Sequence, residues 1–314
     1  MSEILVAGVA GAGVFGGYHA AKYAALEGVR LAAIYDVDAE KARALAERHG
    51  AEPFSSYPEF LKALDVVTIA APARAHFDLA RTALAAGKHV LLEKPVATRL
   101  EDAERLVALA ARKNLVLQSG HQERFVAEAF GVLSRPKPPR SIWCKRFNPR
   151  SGRGEDVSVA LDLMIHDLDL LRMLGLGELA AVSAFGGLDE VEAELVFEGG
   201  ATAVLAASRN AARADRRMAL VYDDGVVEID FVNRRVGNTT ATPLAASFED
   251  AATAPALRDP LGLGVARFVE AARAGLPSPI PGEAGRDALA WALRIDEACG
   301  VGAVDAPELV RAAL

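Results

Sequence analysis

A short apolar run, "EILVAGV" (3–9), passes without a linker into "AGAGVFGGYHAAKYAAL". The glycines at 11, 13 and 16 spell G-x-G-x-x-G between a strand and a helix. Few architectures place that pattern there. Gly11 permits a tight turn, Gly13 lets a bulky anion approach the backbone, and Gly16 allows helix and strand to pack closely. The helix then begins with unpaired N–H groups, a natural seat for phosphate. Gly11, Gly13, Val14, Phe15 and Gly16 are therefore the expected cradle of a dinucleotide pyrophosphate. A second strand, "VRLAAIYD", ends at Asp36. A carboxylate at that point accepts hydrogen bonds from a ribose diol and repels a 2′-phosphate, so the reading is NAD over NADP. Arg43 nearby could soften that preference.

Strands and helices go on alternating through "AEKARALAERHG", "DVVTIAAP", "RAHFDLARTALAAG", "KHVLLEKP", "LEDAERLVALAARKN" and "LVLQSG". Such alternation implies right-handed βαβ units on a parallel sheet. The expectation is an α/β protein whose residues 1–121 form a Rossmann domain, a doubly wound parallel sheet. Beyond "HQERF" the prolines and arginines of "RPKPPRSIWCKRFNPRSGRGED" mark a change of organisation. Residues 141–147 read as a strand. From 178 to 240 short β patterns recur, and in "VEAELVFEGG" glutamates alternate with Ala193, Leu195 and Phe197, giving one packed and one polar face. Residues 122–314 are thus expected to form an α+β domain with a large open, mostly antiparallel sheet. Two helices close the chain, the final one a candidate to return to the first domain.

Ligands of open parallel sheets bind beyond the carboxyl ends of the strands, which singles out two loops. Pro72 and His76 follow the third strand, and His76 reads either as a cofactor contact or as a helix-start residue. "EKP" (93–95) follows the fourth. Pro95 restricts Lys94 to an extended conformation, and an amine there can stabilise an alkoxide formed as hydride departs. A solvated surface lysine is the competing reading. Taken together, "GAGVFGGYHA", "DVVTIAAP…H", "ALAAGKHVLLEKPVA" and "QERF" resemble the Gfo/Idh/MocA family of NAD(P)-dependent oxidoreductases. The resemblance runs through residues 4–130. It implies that Glu93, Lys94 and Pro95 lie at the nicotinamide and substrate, and it raises a cis Lys94–Pro95 bond as an expectation. Most members of that family act on sugars or cyclic polyols.

The helix "LDLMIHDLDLL" (161–171) carries three aspartates and a histidine among leucines. At about 100° per residue, Asp162 and His166 lie about 40° apart, with Asp169 about 20° to the other side of Asp162. This polar stripe is narrow and flanked by leucines, so the helix is expected to be buried, and its charges to have partners. Asp167 falls off the stripe and is expected to pair with an arginine. A metal would need further ligands, and no second His-rich element is visible, so none is expected. The resemblance supports a proton relay instead, because its D-x-x-x-H pattern joins the lysine of EKP in catalysis. Lys94, Asp162 and His166 are the expected catalytic residues. His166 would be the general base, with Lys94 as the alternative base, and Asp162 would orient substrate or tune the pair. Gln122, Arg124 and Arg146 complete the expected substrate contacts.

The helix lacks the preceding glycine run of many relatives. With "ASRNAARADRR" it most resembles the branch that oxidises the 3-hydroxyl of UDP-N-acetylglucosamine. Arg146, Arg150, Arg153, Arg209, Arg213, Arg216 and Arg217 suit a diphosphate or simply solvate loops. An NAD-dependent glycoside hydrolase and a non-catalytic NAD-binding regulator are the alternatives. With 314 residues, 52% apolar and 25% charged, and a net charge of −7, nucleic acid is disfavoured as a partner. Two cysteines far apart, no run of roughly 20 apolar residues and no basic n-region point to the cytoplasm and away from membranes. A homodimer or homotetramer is expected by resemblance.

Overall fold

Buried apolar runs bounded by helix caps shape the first part of the chain. The computed structural model describes residues 4–152 and 154–302. β1 (Leu5–Ala10), β2 (Val29–Tyr35), β3 (Glu52–Phe54), β4 (Val66–Ile69), β5 (His89–Leu92) and β6 (Leu117–Ser119) form a six-stranded sheet in the order β3-β2-β1-β4-β5-β6. Every pairing in it is parallel. The helices between them are α1 (Val14–Ala25), α2 (Ala39–His49), α3 (Tyr57–Lys62), α4 (Ala73–Ala85) and α5 (Leu100–Lys113). The strand order reverses between β1 and β4, which opens a crevice at their carboxyl ends. Local chemistry sets the helix ends. Asp38 accepts the N–H groups of Glu40 and Lys41 ahead of α2, and Gly50 closes that helix in the left-handed region at φ 65°.

In this part of the chain two elements escaped the sequence reading, β3 and α3. The strand has three residues, one of them Pro53, and lies at the sheet edge; it is too short to display a period of two. The six-residue α3 is likewise shorter than two turns of pattern.

In the remainder, α6 (Glu123–Phe130), α7 (Ile165–Met173) and α8 (Pro255–Arg258) accompany a seven-stranded sheet. Its strands are β7 (Ser141–Phe147), β8 (Leu179–Gly186), β9 (Glu190–Phe197), β10 (Thr202–Ser208), β11 (Asp215–Tyr222), β12 (Gly225–Asp230) and β13 (Arg235–Asn238). The order is β13-β12-β11-β7-β10-β9-β8, antiparallel throughout except where β7 meets β10. One face packs: Ile142, Cys144, Leu195, Phe197, Leu205 and Leu220 are buried. The other face carries Trp143, Glu192, Glu194 and Arg217 outward. Of the described residues, 4–121 together with Leu261–Arg286 form one compact unit, and Gln122–Pro260 with 287–302 form the second.

Residues 261–286, expected inside the second domain, therefore belong to the first unit. In α9 (Pro260–Ala274), the side chains of Val265, Phe268, Val269 and Ala271 join a core made by Ala7, Val9, Ala20, Tyr23 and Leu31. The apolar face of α9 is what brings that segment back. The last helix, α10 (Gly282–Ala298), belongs from Asp287 onward to the second unit. There Trp291 packs on Phe197 with ring centroids 5.5 Å apart. Among the described residues no helix is long and apolar enough to cross a membrane.

One buried contact in the second unit makes stability depend on pH. Ser158 Oγ donates to Asp296 Oδ2 at 2.7 Å. Burial pushes the Asp296 carboxyl up to about 6, against the opposing effect of that bond. A carboxyl whose folded pKa is raised contributes stability at low pH that is lost as pH climbs from about 4 to about 6. Asp296→Asn keeps an acceptor for Ser158 and does not ionise. It should stabilise the protein by about 3 kcal/mol at pH 7.5 and by nothing at pH 3.5, read by urea unfolding at both. Equal effects at the two pH values would contradict this account.

Candidate active site

In the first unit, the predicted cofactor residues converge on the carboxyl ends of β1, β2, β4 and β5. Gly11 sits at φ +101°, and a Cβ there would lie 2.4 Å from the Ala70 carbonyl oxygen. At Gly16 a Cβ would lie 1.7 Å from the Gly11 carbonyl oxygen. Only hydrogen fits at either position. Gly13 differs: nothing lies within 4 Å of where its Cβ would be, and it is the N-cap of α1 with no side chain capping it. The start of α1 is thus an open shelf of N–H groups, flanked by the exposed side chains of Val14 and Phe15. This shelf fits a pyrophosphate. Asp36, just past β2, accepts the Ala12 N–H on Oδ2 at 2.6 Å and the Asp38 N–H on Oδ1 at 2.9 Å. Those bonds hold its carboxylate beside the glycine loop, and each oxygen keeps a lone pair for a ribose hydroxyl.

The loops after β4 and β5 are tied together by His76. Its Nδ1 lies 2.6 Å from the Pro95 carbonyl oxygen and its Nε2 2.9 Å from that of Ala71. A carbonyl only accepts, so both contacts are hydrogen bonds only when the ring is doubly protonated. The side chain is 1% exposed. His76, one of the predicted cofactor contacts, therefore acts as a brace between two cofactor loops. Its position near a helix start hid this, because both acceptors are backbone atoms. Pro72 is the N-cap of α4 on the same loop.

Lys94 and Pro95 are joined by a cis bond, and Lys94 is half-buried between the buried Glu93 and Pro95. Glu93 Oε1 is 2.8 Å from His19 Nε2. On its other side a Cβ at Gly120 would meet Glu93 Oε2 at 2.8 Å. Burial works to raise the Glu93 carboxyl, but the His19 hydrogen bond and the charges of His19, Lys94 and His76 outweigh it and hold it below the usual range. Lys94 thus has a fixed anion as its neighbour. His19 is the participant that sequence reasoning missed; it lies one α1 turn past Gly16, where the pattern reads as ordinary helix.

In the second unit, Asp162 and His166 are half-buried, with Leu161, Ile165 and Asp167 beside them buried. The helix does not begin as the α-helix assumed in placing them. Residues Ala160–Met164 form a wider π turn, in which the Ile165 N–H reaches back five residues to the Ala160 carbonyl. Wide turns of this kind recur at functional sites. The π turn changes the angle between Asp162 and His166 from that of a regular helix. Asp169, placed beside them by the regular projection, is 1% exposed and accepts both Nε and Nη2 of Arg124, at 2.6 and 2.5 Å.

Arg146 is similarly engaged. It forks onto Asp167 through Nε and Nη2 at 2.9 and 2.6 Å, and onto Glu123 through Nη1 and Nη2 at 2.8 and 2.7 Å. Burial raises the Asp167 carboxyl above its ordinary value, with Arg146 opposing and Glu123 adding to the rise. The arginine partner expected for Asp167 is Arg146. Arg124 and Arg146, expected as substrate contacts, are 6% and 2% exposed, and their forks hold Asp169, Asp167 and Glu123. Sequence spacing could not show that these arginines face carboxylates on a distant helix. Gln122 is the residue before α6 and is half-buried.

Of the arginines read as diphosphate ligands, Arg209 is also internal, Arg150 and Arg217 pair with Asp189 and Asp215, and Arg216 donates to Asn148. Arg213 is exposed, and Arg153 lies outside the described residues. Breaking a buried pair leaves an uncompensated charge, which costs about 3–5 kcal/mol. Arg146→Met should therefore lower unfolding free energy by about that amount in urea titration. A variant of unchanged stability with a raised KM alone would restore Arg146 as a substrate ligand.

Comparison with known proteins meets this geometry at both units. Residues 5–121 match the family model of the Gfo/Idh/MocA oxidoreductases, described as an NAD-binding Rossmann fold, and residues 128–228 match that of the family's C-terminal domain. The UDP-N-acetylglucosamine 3-dehydrogenase of Acidithiobacillus ferrooxidans is 35% identical over 303 residues, covering 92% of this chain and 95% of the relative. A solved structure of that enzyme superposes with a TM-score of 0.83 at 34% identity, covering 95% and 98% of the two chains. An inositol 2-dehydrogenase of Cereibacter sphaeroides is 33% identical over 176 residues, 53% of each chain. The scyllo-inositol dehydrogenase of Lactobacillus casei, solved with NAD(H) and scyllo-inositol, shares the fold at a TM-score of 0.78 and 23% identity, covering 95% and 97% of the two chains. Residues 5–121 are the NAD-binding Rossmann domain of the Gfo/Idh/MocA oxidoreductases, the family to which the chain belongs.

Proposed function

We propose that this oxidoreductase removes hydride from a secondary hydroxyl of a sugar nucleotide, the 3-hydroxyl of UDP-N-acetylglucosamine, and passes it to NAD. The observation that carries this reading is the likeness to the A. ferrooxidans enzyme, which spans 92% of this chain and 95% of that one. NAD, when bound, supplies the hydride acceptor. The residues present fit it: the open α1 shelf would hold the pyrophosphate and Asp36 the ribose diol. Lys94 would donate a hydrogen bond to the reacting oxygen and stabilise it as charge develops. His166 would take the hydroxyl proton, and Asp162 would orient the substrate or set the proton affinity of His166. Lys94 as the base is the variant of this scheme. Arg213, exposed after β10, is the arginine best placed to meet a diphosphate from solution. An assembly of two or four copies in the cytoplasm completes the reading. Its support is the outward sheet face, where Trp143 is 58% exposed; light scattering showing a monomer at micromolar concentration would remove that part.

Incubation with NAD and a panel of UDP-sugars and free polyols, following NADH, tests the assignment. UDP-N-acetylglucosamine should give stoichiometric NADH. Release of UDP without net NADH would favour the glycoside hydrolase alternative, and NAD binding without turnover on any member would favour a regulator. Lys94→Ala and His166→Ala should each lower kcat by about 10²–10⁴, and His166→Ala should do so with NAD affinity unchanged. Turnover intact in both would refute the roles given to them. Asp36→Ala should relax the preference for NAD over NADP, and a wild type that prefers NADP would contradict the role of Asp36.

A further inference from the structure

Arg209 follows the last residue of β10 and is 4% exposed. Its Nη1 donates to the Gly154 carbonyl and its Nη2 to the Val157 carbonyl, each at 2.8 Å. Its Nε lies 3.6 Å from Asp189 Oδ1, and its own N–H donates to the Asp189 carbonyl at 3.0 Å. Burying a guanidinium is costly unless its donors are used. Here the two Nη donors converge on one turn of chain, residues 154–157, ahead of the π turn that carries Asp162, while Nε faces Asp189 without a hydrogen bond.

That turn touches Asp162 itself. Gly154 has φ +66°, and a Cβ there would lie 2.4 Å from both Cγ and Oδ2 of Asp162 and 2.7 Å from Oδ1. The carboxylate therefore rests against the bare Cα of the residue whose carbonyl Arg209 holds. The far end of the segment is tied as well: the Val159 N–H donates to the Leu188 carbonyl at 2.7 Å, and the Asp162 N–H to the Ser158 carbonyl at 2.9 Å. A π turn spaces its side chains more loosely than a regular helix, so the helix alone does not settle where a carboxylate on it sits.

The geometry points to Arg209 and Gly154 as positioning residues for the Asp162 carboxylate. Arg209 pins the 154–157 turn, and the absent side chain of Gly154 defines the surface on which the carboxylate lies. This rests on the catalytic reading of Asp162 given above. Neither residue touches reacting atoms. A lysine at 209 carries its charge at a single nitrogen and cannot reproduce the fork that spans two carbonyls.

The test places Arg209→Lys, Arg209→Met and Gly154→Ala in the wild-type and Asp162→Asn backgrounds. NADH formation from UDP-N-acetylglucosamine and NAD is followed, with NAD affinity measured by fluorescence titration. Each substitution should lower kcat by about 10- to 100-fold in the wild type, the cost of moving a catalytic group by about 1 Å, and leave NAD affinity unchanged. In the Asp162→Asn background the same substitutions should cost nothing further, because they act through Asp162. Losses that multiply in both backgrounds would show a general structural role and overturn the inference. Full activity of Asp162→Asn alone would instead sink the catalytic reading of Asp162. Crystal structures of Arg209→Lys and Gly154→Ala decide the matter without turnover: a displaced Asp162 carboxylate is expected, and an unmoved one in both refutes the assignment.

Discussion

The double fork of Arg146, held between Asp167 and Glu123, is the interaction on which the second unit's candidate chemistry depends. A helix that carries Asp162, His166, Asp167 and Asp169 cannot be buried unless its carboxylates are met by cations. Arg146 and Arg124 meet two of them, from β7 and α6. Asp162, about one turn earlier, and His166, the residue before Asp167, stay half-buried. His166 shares a turn with the anchored Asp167 and Asp169, so rigidity sits immediately next to the groups proposed for catalysis. A site on such a support loses less geometry to motion than one on a loop.

The first unit applies the same logic with different groups. Glu93 is buried, and His19, Lys94 and His76 surround it with positive charge that keeps its carboxyl ionised. His76 joins the loops after β4 and β5 through two carbonyls. The peptide oxygens of Ala71 and Pro95 thereby hold in register the two segments expected to border the cofactor. Lys94 inherits a defined position from both arrangements: its neighbours on either side are buried and bonded, while it is not itself fully enclosed.

Several of these features were readable in advance and others were not, for a consistent reason. The glycine loop, the place of Asp36 and the alternation of strands and helices follow from local pattern, because each needs only its neighbours in sequence to express its effect. The alternating faces of β9 follow for the same reason. The protein partners of Arg124, Arg146 and His76 were not readable from the sequence. Their partners lie 45, 21 and 19 residues away in the chain, and nothing in either segment marks the other. His19 was passed over because a histidine in a helix has no local signature of the carboxylate it faces 74 residues on.

The sequence by itself determined the βαβ frame, the placement of the glycine shelf and Asp36, the existence of a second, antiparallel sheet, and the family. These rest on backbone preferences and on hydrophobic periods of two and 3.6 residues, which act over a few residues at a time. Only the tertiary structure decided which charged side chains are spent on one another and which remain accessible, that α9 returns to the first unit, and that the helix of Asp162 starts with a π turn. Those outcomes depend on desolvation and on long-range pairing. A buried charge is satisfied by whatever the fold brings within 3 Å, and that neighbour is a property of the packed chain.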